Sequence, residues 1–261
     1  MGHATNAPYR PSRWHDRQAE RPTEPDARSL RYWSDMENPW TELPRTAPFV
    51  LPSDRPFVDA FNREHKWDDK YDKYRLRTEV RPIPALGNRG APVVLLSRNP
   101  GFDDDDLLTE EHPKCRSLLE ANLTEEGDLV HPGLTREFAD TAGGAWWRRC
   151  MKGVTQALGC DPNELAGSVL AVEFHAYPSK SWAPLPVTLP SQWYGFELVR
   201  RAIERGAMVV VLRGARDWRV AVPGLADHQH RTIVPTNYRQ SSVSERTCGA
   251  QFDDLLRCFG P

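Results

Sequence analysis

Asn99 stands in the turn Ser97-Arg98-Asn99-Pro100-Gly101-Phe102, directly after the apolar run 91–97. A side-chain amide held in a Pro-Gly turn can accept from a water and donate to a reacting group. Asn, Pro and Gly are also the usual turn residues, so this stretch alone leaves both readings open. A second polar stretch, Glu173-Phe174-His175-Ala176-Tyr177-Pro178-Ser179, ends another apolar run and offers a carboxylate, an imidazole, a phenol and a hydroxyl. Alternation between core and hydrogen-bonded neighbours would account for it equally. The third, residues 236–252, sets Arg239, Ser241, Val243 and Ser244 before a helix. Such a set can grip a phosphate through hydroxyls and amides, or cap the helix.

The elements that must position these groups follow from hydrophobic periodicity. Apolar runs at 91–97, 168–177, 207–213 and 230–236 predict four strands, and the unbroken run at 207–213 suits a strand covered on both faces. Helices are expected at 145–159, closed by Gly159, and at 191–206, where Ser191 can cap and Phe196, Val199 and Ile203 share a face. A last helix falls near 250–259, and an early one over 55–76 places Phe57, Phe61 and His65 on one face. Alternating strands and helices imply an α/β fold, a four-stranded parallel sheet flanked by helices. The domain spans 81–261, behind a Pro/Arg-rich extension (1–50, with Trp14, Trp33 and Trp40) and a helical lead-in (51–80). In that fold all three polar stretches meet at the carboxyl edge of the sheet.

Composition narrows the chemistry. The 261 residues carry a formal net charge of -2, which neither announces nor excludes nucleic acid. No apolar run reaches membrane-spanning length and no signal-peptide core is present, so a cytoplasmic protein without a membrane partner is expected. The five cysteines, Cys115, Cys150, Cys160, Cys248 and Cys258, lack CxxC spacing; reduced thiols fit better than disulfides or an iron–sulfur cluster. The phosphate-binding, dinucleotide, nucleophile-elbow and zincin signatures are all missing. No cofactor and no metal are expected.

Taken together, the three loops resemble the uracil-DNA glycosylase superfamily. "SRNPGF" is similar to the first motif of its mismatch-specific and thymine-DNA glycosylase branch, "AWWRRCMKGV" to the helix that follows there, and "RQSSVSERTCGAQF" to the second motif. The sequence departs from that pattern in places. Arg239 stands where the second motif has His or Asn, Gln240 replaces its Pro, and Val243 takes the place of the wedging leucine. The second strand lacks the asparagine that reads uracil.

The resemblance implies a DNA glycosylase that flips a base out of the stack and hydrolyses its N-glycosidic bond. Asn99 would position the water, and Asp103, nearest the turn, would stabilise the sugar cation. Phe102, or an aromatic from 127–147, would stack on the base. Glu173, His175, Tyr177 and Ser179 would line the base edge, while Arg239, Ser241, Val243 and Ser244 would meet DNA. The substrate would be a modified, damaged or mismatched base. One option is a bulky pyrimidine such as glucosylated hydroxymethylcytosine of phage DNA, which implies antiviral defence. The protein is expected to act as a monomer.

Asp103–Asp106 read first as acids at a helix start, where they complement the dipole. A Mg²⁺ site with His112 lacks a recognised spacing. Arg148, Arg149 and Lys152, and Arg213, Arg216 and Arg219, form basic clusters that suit either DNA or a solvated surface. A binding module without catalysis and a metal-dependent hydrolase are the competing readings.

Overall fold

The computed structural model describes residues 37–64, 72–236 and 241–260. Trp14, Trp33, His65 and Arg239 lie outside the described residues. The sheet is mixed and has five strands: β1 (Ala85–Gly87), β2 (Val93–Ser97), β3 (Val169–Glu173), β4 (Met208–Val211) and β5 (Thr232–Ile233), in the order β1-β3-β2-β4-β5. Strands β3, β2, β4 and β5 are mutually parallel, and β1 adds to β3 in the antiparallel sense. The four-stranded parallel expectation is corrected by this edge strand. Three residues ending in a glycine show too little alternation to be legible as a strand.

Parallel strands need crossovers, and the crossovers put helices on both faces. Every residue of β2, β3 and β4 is buried. Val94, Leu96, Leu170, Val172, Val209 and Val211 point into one core layer. It is closed by α1 (Arg55–Glu64), by α5 (Gln192–Glu204) through Phe196, Val199 and Ala202, and by Trp218. Val93, Leu95, Val169, Ala171, Met208 and Val210 point into the other layer. That side is covered by α3 (Pro113–Thr124), α4 (Ala142–Leu158) and α9 (Phe252–Arg257). Helix α2 (Asp106–Glu111) joins β2 to α3, while α6 (Ala215–Ala221), α7 (Gly224–Asp227) and α8 (Glu245–Cys248) complete the chain order.

Helix α1 covers Arg55–Glu64 and buries Val58 and Phe61 while Phe57 stays exposed. Residues 65–71 of the expected 55–76 helix lie outside the described residues, and Asp72–Tyr74 form a 3-10 turn, not α-helix. Trp40, Val50 and Leu51 enter the same core layer. All five cysteines are free thiols. No helix among the described residues is long and apolar enough to cross a membrane.

Tyr177 belongs to this packing. Its hydroxyl donates to Asp54 Oδ2 at 2.8 Å and accepts from the Leu51 N–H at 3.3 Å, and its ring is fully buried against Trp40. Ser191 N–H donates to the other Asp54 oxygen. Tyr177 is therefore a strut between the lead-in segment and the sheet, and its expected place on a base edge is corrected. Tyr177→Phe strands buried Leu51 N–H and leaves Asp54 one donor short, at a cost of about 1–3 kcal/mol. Urea unfolding should show that loss, with the site at the sheet edge unchanged.

Candidate active site at the carboxyl edge of the sheet

The chain leaves β2 for β3 on one side and later returns to β4 on the other. This switch point opens a crevice beyond the strand ends, where open α/β sheets place ligands. A cavity of about 500 Å³ occupies it, within the range of small-molecule sites. The turn after β2, the end of β3, the 178–182 loop, Arg213 after β4 and the first turn of α4 form its walls.

Asn99 lies half-buried in this wall. Its Nδ2 donates to Pro100 O and to Ser179 Oγ, both at 2.9 Å. A carbonyl can only accept, so the contact with Pro100 fixes which end of the amide is NH₂. Both amide protons are engaged, leaving Oδ1 as an acceptor. The loops are zipped together by a parallel bridge between Gly101 and Ser179, and Ser179 Oγ donates in turn to Ser181 O at 2.9 Å. Ser179 thus positions Asn99 as well as lining the cavity.

Glu173 ends β3 directly opposite Ser97 in the β2 register. The carboxyl is buried, lines the cavity, and leaves Oε2 without a partner. Burial pushes its pKa from 4.5 up to about 8, opposed by a hydrogen bond from Ser97 and by the charge of Arg213. At neutral pH it is a carboxylic acid.

Phe102 lines the cavity, but Arg77 and Lys180 sit over its ring at 5.0 and 5.8 Å. They compete with any base for its faces. Half-buried Trp146, braced edge-on by Trp147 at 4.6 Å, offers a freer aromatic surface in the same cavity. It falls within 127–147, the stretch from which a stacking aromatic was expected, but on helix α4 and not in a loop. Sequence reasoning did not single out Trp146 within that range, and it missed Ser97 and the Arg98–Trp182 stack at 4.1 Å. The Trp-Trp pair at the start of a helix was the available signal.

Asp103 borders the cavity, yet its carboxylate accepts from Asp105 N–H at 3.2 Å and its own N–H donates to Asp106 at 2.7 Å. The acids open α2, and Asp104 pairs with Lys180 at 2.9 Å. Among the described residues, no three His, Cys, Asp or Glu side chains are grouped to hold a metal ion.

Four expected contacts are corrected by burial or by local bonding. His175 is buried and does not line the cavity. Val243 is wholly inside the core, so it cannot wedge into a duplex without leaving the cluster that includes Cys150 and Met151. Ser241 is buried and accepts from Arg213 Nε at 2.8 Å, bracing that arginine from behind. Ser244 opens α8, its N–H donating to Thr247 Oγ1 at 3.1 Å. Arg148, from one basic cluster, ties down the Leu134 and Thr135 carbonyls.

Two buried imidazoles give the fold an acid limit. Burial lowers His131 to about 3 and His175 to about 4, against 6.5 in the unfolded chain. Both stay neutral when folded, so their contribution is intact above 6.5. It is lost progressively as pH falls and the unfolded chain binds protons that the native state refuses. Melting temperature should therefore drop between pH 6.5 and 4, and His175→Gln should flatten part of that slope.

Compared with known proteins, the chain matches no family model, no curated protein and no solved structure.

Proposed function

We propose that the chain is a DNA glycosylase, hydrolysing the N-glycosidic bond of a base flipped into the 500 Å³ cavity. The observation that carries the reading is the Asn99 amide, locked so that Oδ1 can hold a water for attack on C1′. The likeness of "SRNPGF" and its following helix to the glycosylase motifs supports the same role. Trp146 is the stacking surface for the base, and Glu173 meets its edge. Arg98, Lys180 and Arg213 border the cavity and suit the flanking phosphates, a task the sequence had assigned to Arg239 and the serines.

The cavity has room for more than a bare pyrimidine ring. This favours a modified base, including the bulky substituted pyrimidines of phage DNA and a defensive role. The protein would act as a monomer in the cytoplasm, without a cofactor.

Abasic-site formation tests the reading. DNAs carrying uracil, a G:T mismatch, hydroxymethylcytosine or its glucosylated form are treated with wild type and Asn99→Ala, then read by alkaline cleavage and free-base detection. Release from one substrate, lost in the variant, is expected. Tight DNA binding without release from any of them would overturn catalysis in favour of a binding module.

A further inference from the structure

We infer that Glu173 is the general acid of the reaction, its Oε2–H handing a proton to the base as the bond to C1′ breaks. The inference rests on the glycosylase reading and adds a residue role that the motif resemblance does not supply. Arg239, which stands where the second motif of that resemblance carries His or Asn, gives up no proton at neutral pH, so a group that protonates the departing base must come from elsewhere.

The geometry assigns it to the end of β3. Glu173 and Ser97 are register partners on adjacent parallel strands, and Asn99 is two residues beyond Ser97. The acid and the water-holding amide therefore reach one cavity from neighbouring strand ends. Ser97 donates to the carboxyl, and Oε2 has no partner; the proton of the neutral acid belongs on that oxygen. A buried carboxyl without a full set of partners is costly. A ligand acceptor at Oε2 would complete it.

The surroundings keep the acid in place. From the β4 end, Arg213 favours the carboxylate, but burial outweighs it. The turn after β2 presents Arg98 and Asp103, and the 178–182 loop presents Lys180. Lys180 is paired with Asp104. From α2 come Asp106 and Glu110, the latter paired with Arg81. Helix α4 contributes Trp146 and Trp147 and no charge, and the β1 side meets the Glu173 backbone through Pro84 O.

The step balances. Water adds to C1′, and the C1′–N bond breaks with its electron pair leaving on the base. The Glu173 proton passes to the base, the water's proton goes to solvent, and the carboxylate is reprotonated from solvent. One water is consumed, yielding the sugar hydroxyl and the protonated base.

Glu173→Gln keeps the shape and a donor but has no proton to transfer. On the substrate that wild type cleaves, it should lower kcat by about 10²-fold or more, the usual range for a lost general acid. Wild-type kcat should hold below pH 8 and fall above it, because only the acid form donates; the variant should lose that alkaline limb. Ser97→Ala removes the donor that favours the carboxylate, so its limb should move to higher pH. A base that leaves as a more stable anion should be cleaved by Glu173→Gln with a smaller deficit.

A stability readout needs no substrate. Folded Glu173 has a raised pKa, so its contribution is full below 4.5 and is lost as pH rises through about 8. The wild type should therefore lose stability relative to Glu173→Gln between pH 5 and 8.5. Base release by Glu173→Gln at wild-type rate, with the same alkaline limb, would overturn the assignment while leaving the glycosylase reading intact. A Glu173 carboxyl that titrates near pH 4.5 by carbon-13 NMR would do so too. If wild type releases no base from any DNA, the reading and this assignment fall together.

Discussion

Asn99→Ala is expected to lower base release on the order of 10²–10³-fold, the scale of losing one preorganised group at the reacting centre. Truncation removes the Oδ1 acceptor and leaves the water unaligned with C1′. It also frees Ser179 Oγ and Pro100 O, both of which lie at the cavity and can take solvent instead. Stability should change little, since Asn99 is half-buried and outside the sheet. The deficit should fall in kcat, with substrate affinity nearly retained, because the amide acts on the water and the base is held by other groups. Ser179→Ala is the companion variant. It removes one of two anchors on the amide, so a smaller loss of about tenfold is expected, one hydrogen bond's worth of orientation. Single-turnover base release at saturating DNA measures both. Equal rates for wild type and Asn99→Ala would return this turn to a purely structural role.

Gly87→Ala is the largest expected effect on stability. Gly87 has φ +108°, a backbone conformation that L side chains rarely adopt, and a Cβ there would lie 2.0 Å from Val169 O. The carbonyl is part of β3 and cannot swing away without breaking sheet pairing. Gly87 N–H also donates to buried Asn122 Oδ1 at 2.6 Å, which ties the edge strand to α3. The added methyl must therefore push β1 off β3 or strand that amide. Either outcome costs about 3–5 kcal/mol, at the upper end for single substitutions. Urea unfolding should show a lower midpoint with a similar slope. The site should feel it as well, because Glu173 N–H is held by Pro84 O just before β1.

Much of the fold was legible in the chain. The runs at β2, β3 and β4 are apolar on both faces up to the buried Ser97 and Glu173 that end β2 and β3, and such runs have few alternatives to a covered parallel strand. Helix α5 and helix α4 were marked by their apolar stripes, and α4 also by Gly159 at its end. Ser191 stands at the start of α5, but its hydroxyl is buried and makes no capping bond. Strand β1 was not legible, because its residues make sense only beside β3. The 3-10 turn at Asp72–Tyr74 was missed because the apolar spacing continues through it.

The site divides in the same way. Local spacing determined that Asn99, Phe102, Asp103, Glu173 and Ser179 would reach one end of the sheet, since each ends a parallel strand or follows one by a few residues, and all five line one cavity. Direction and surroundings were decided by tertiary packing. His175 and Tyr177 lie within four residues of Glu173, yet one is enclosed and the other bonds to Asp54, more than a hundred residues away in the chain. Val243 has the look of an exposed wedge in sequence and is core in space, because the segment after β5 folds under α4. Burial also made Glu173 an acid at neutral pH. Residue types and strand ends are properties of the chain, whereas solvent access, hydrogen-bond partners and protonation depend on atoms brought together from distant segments.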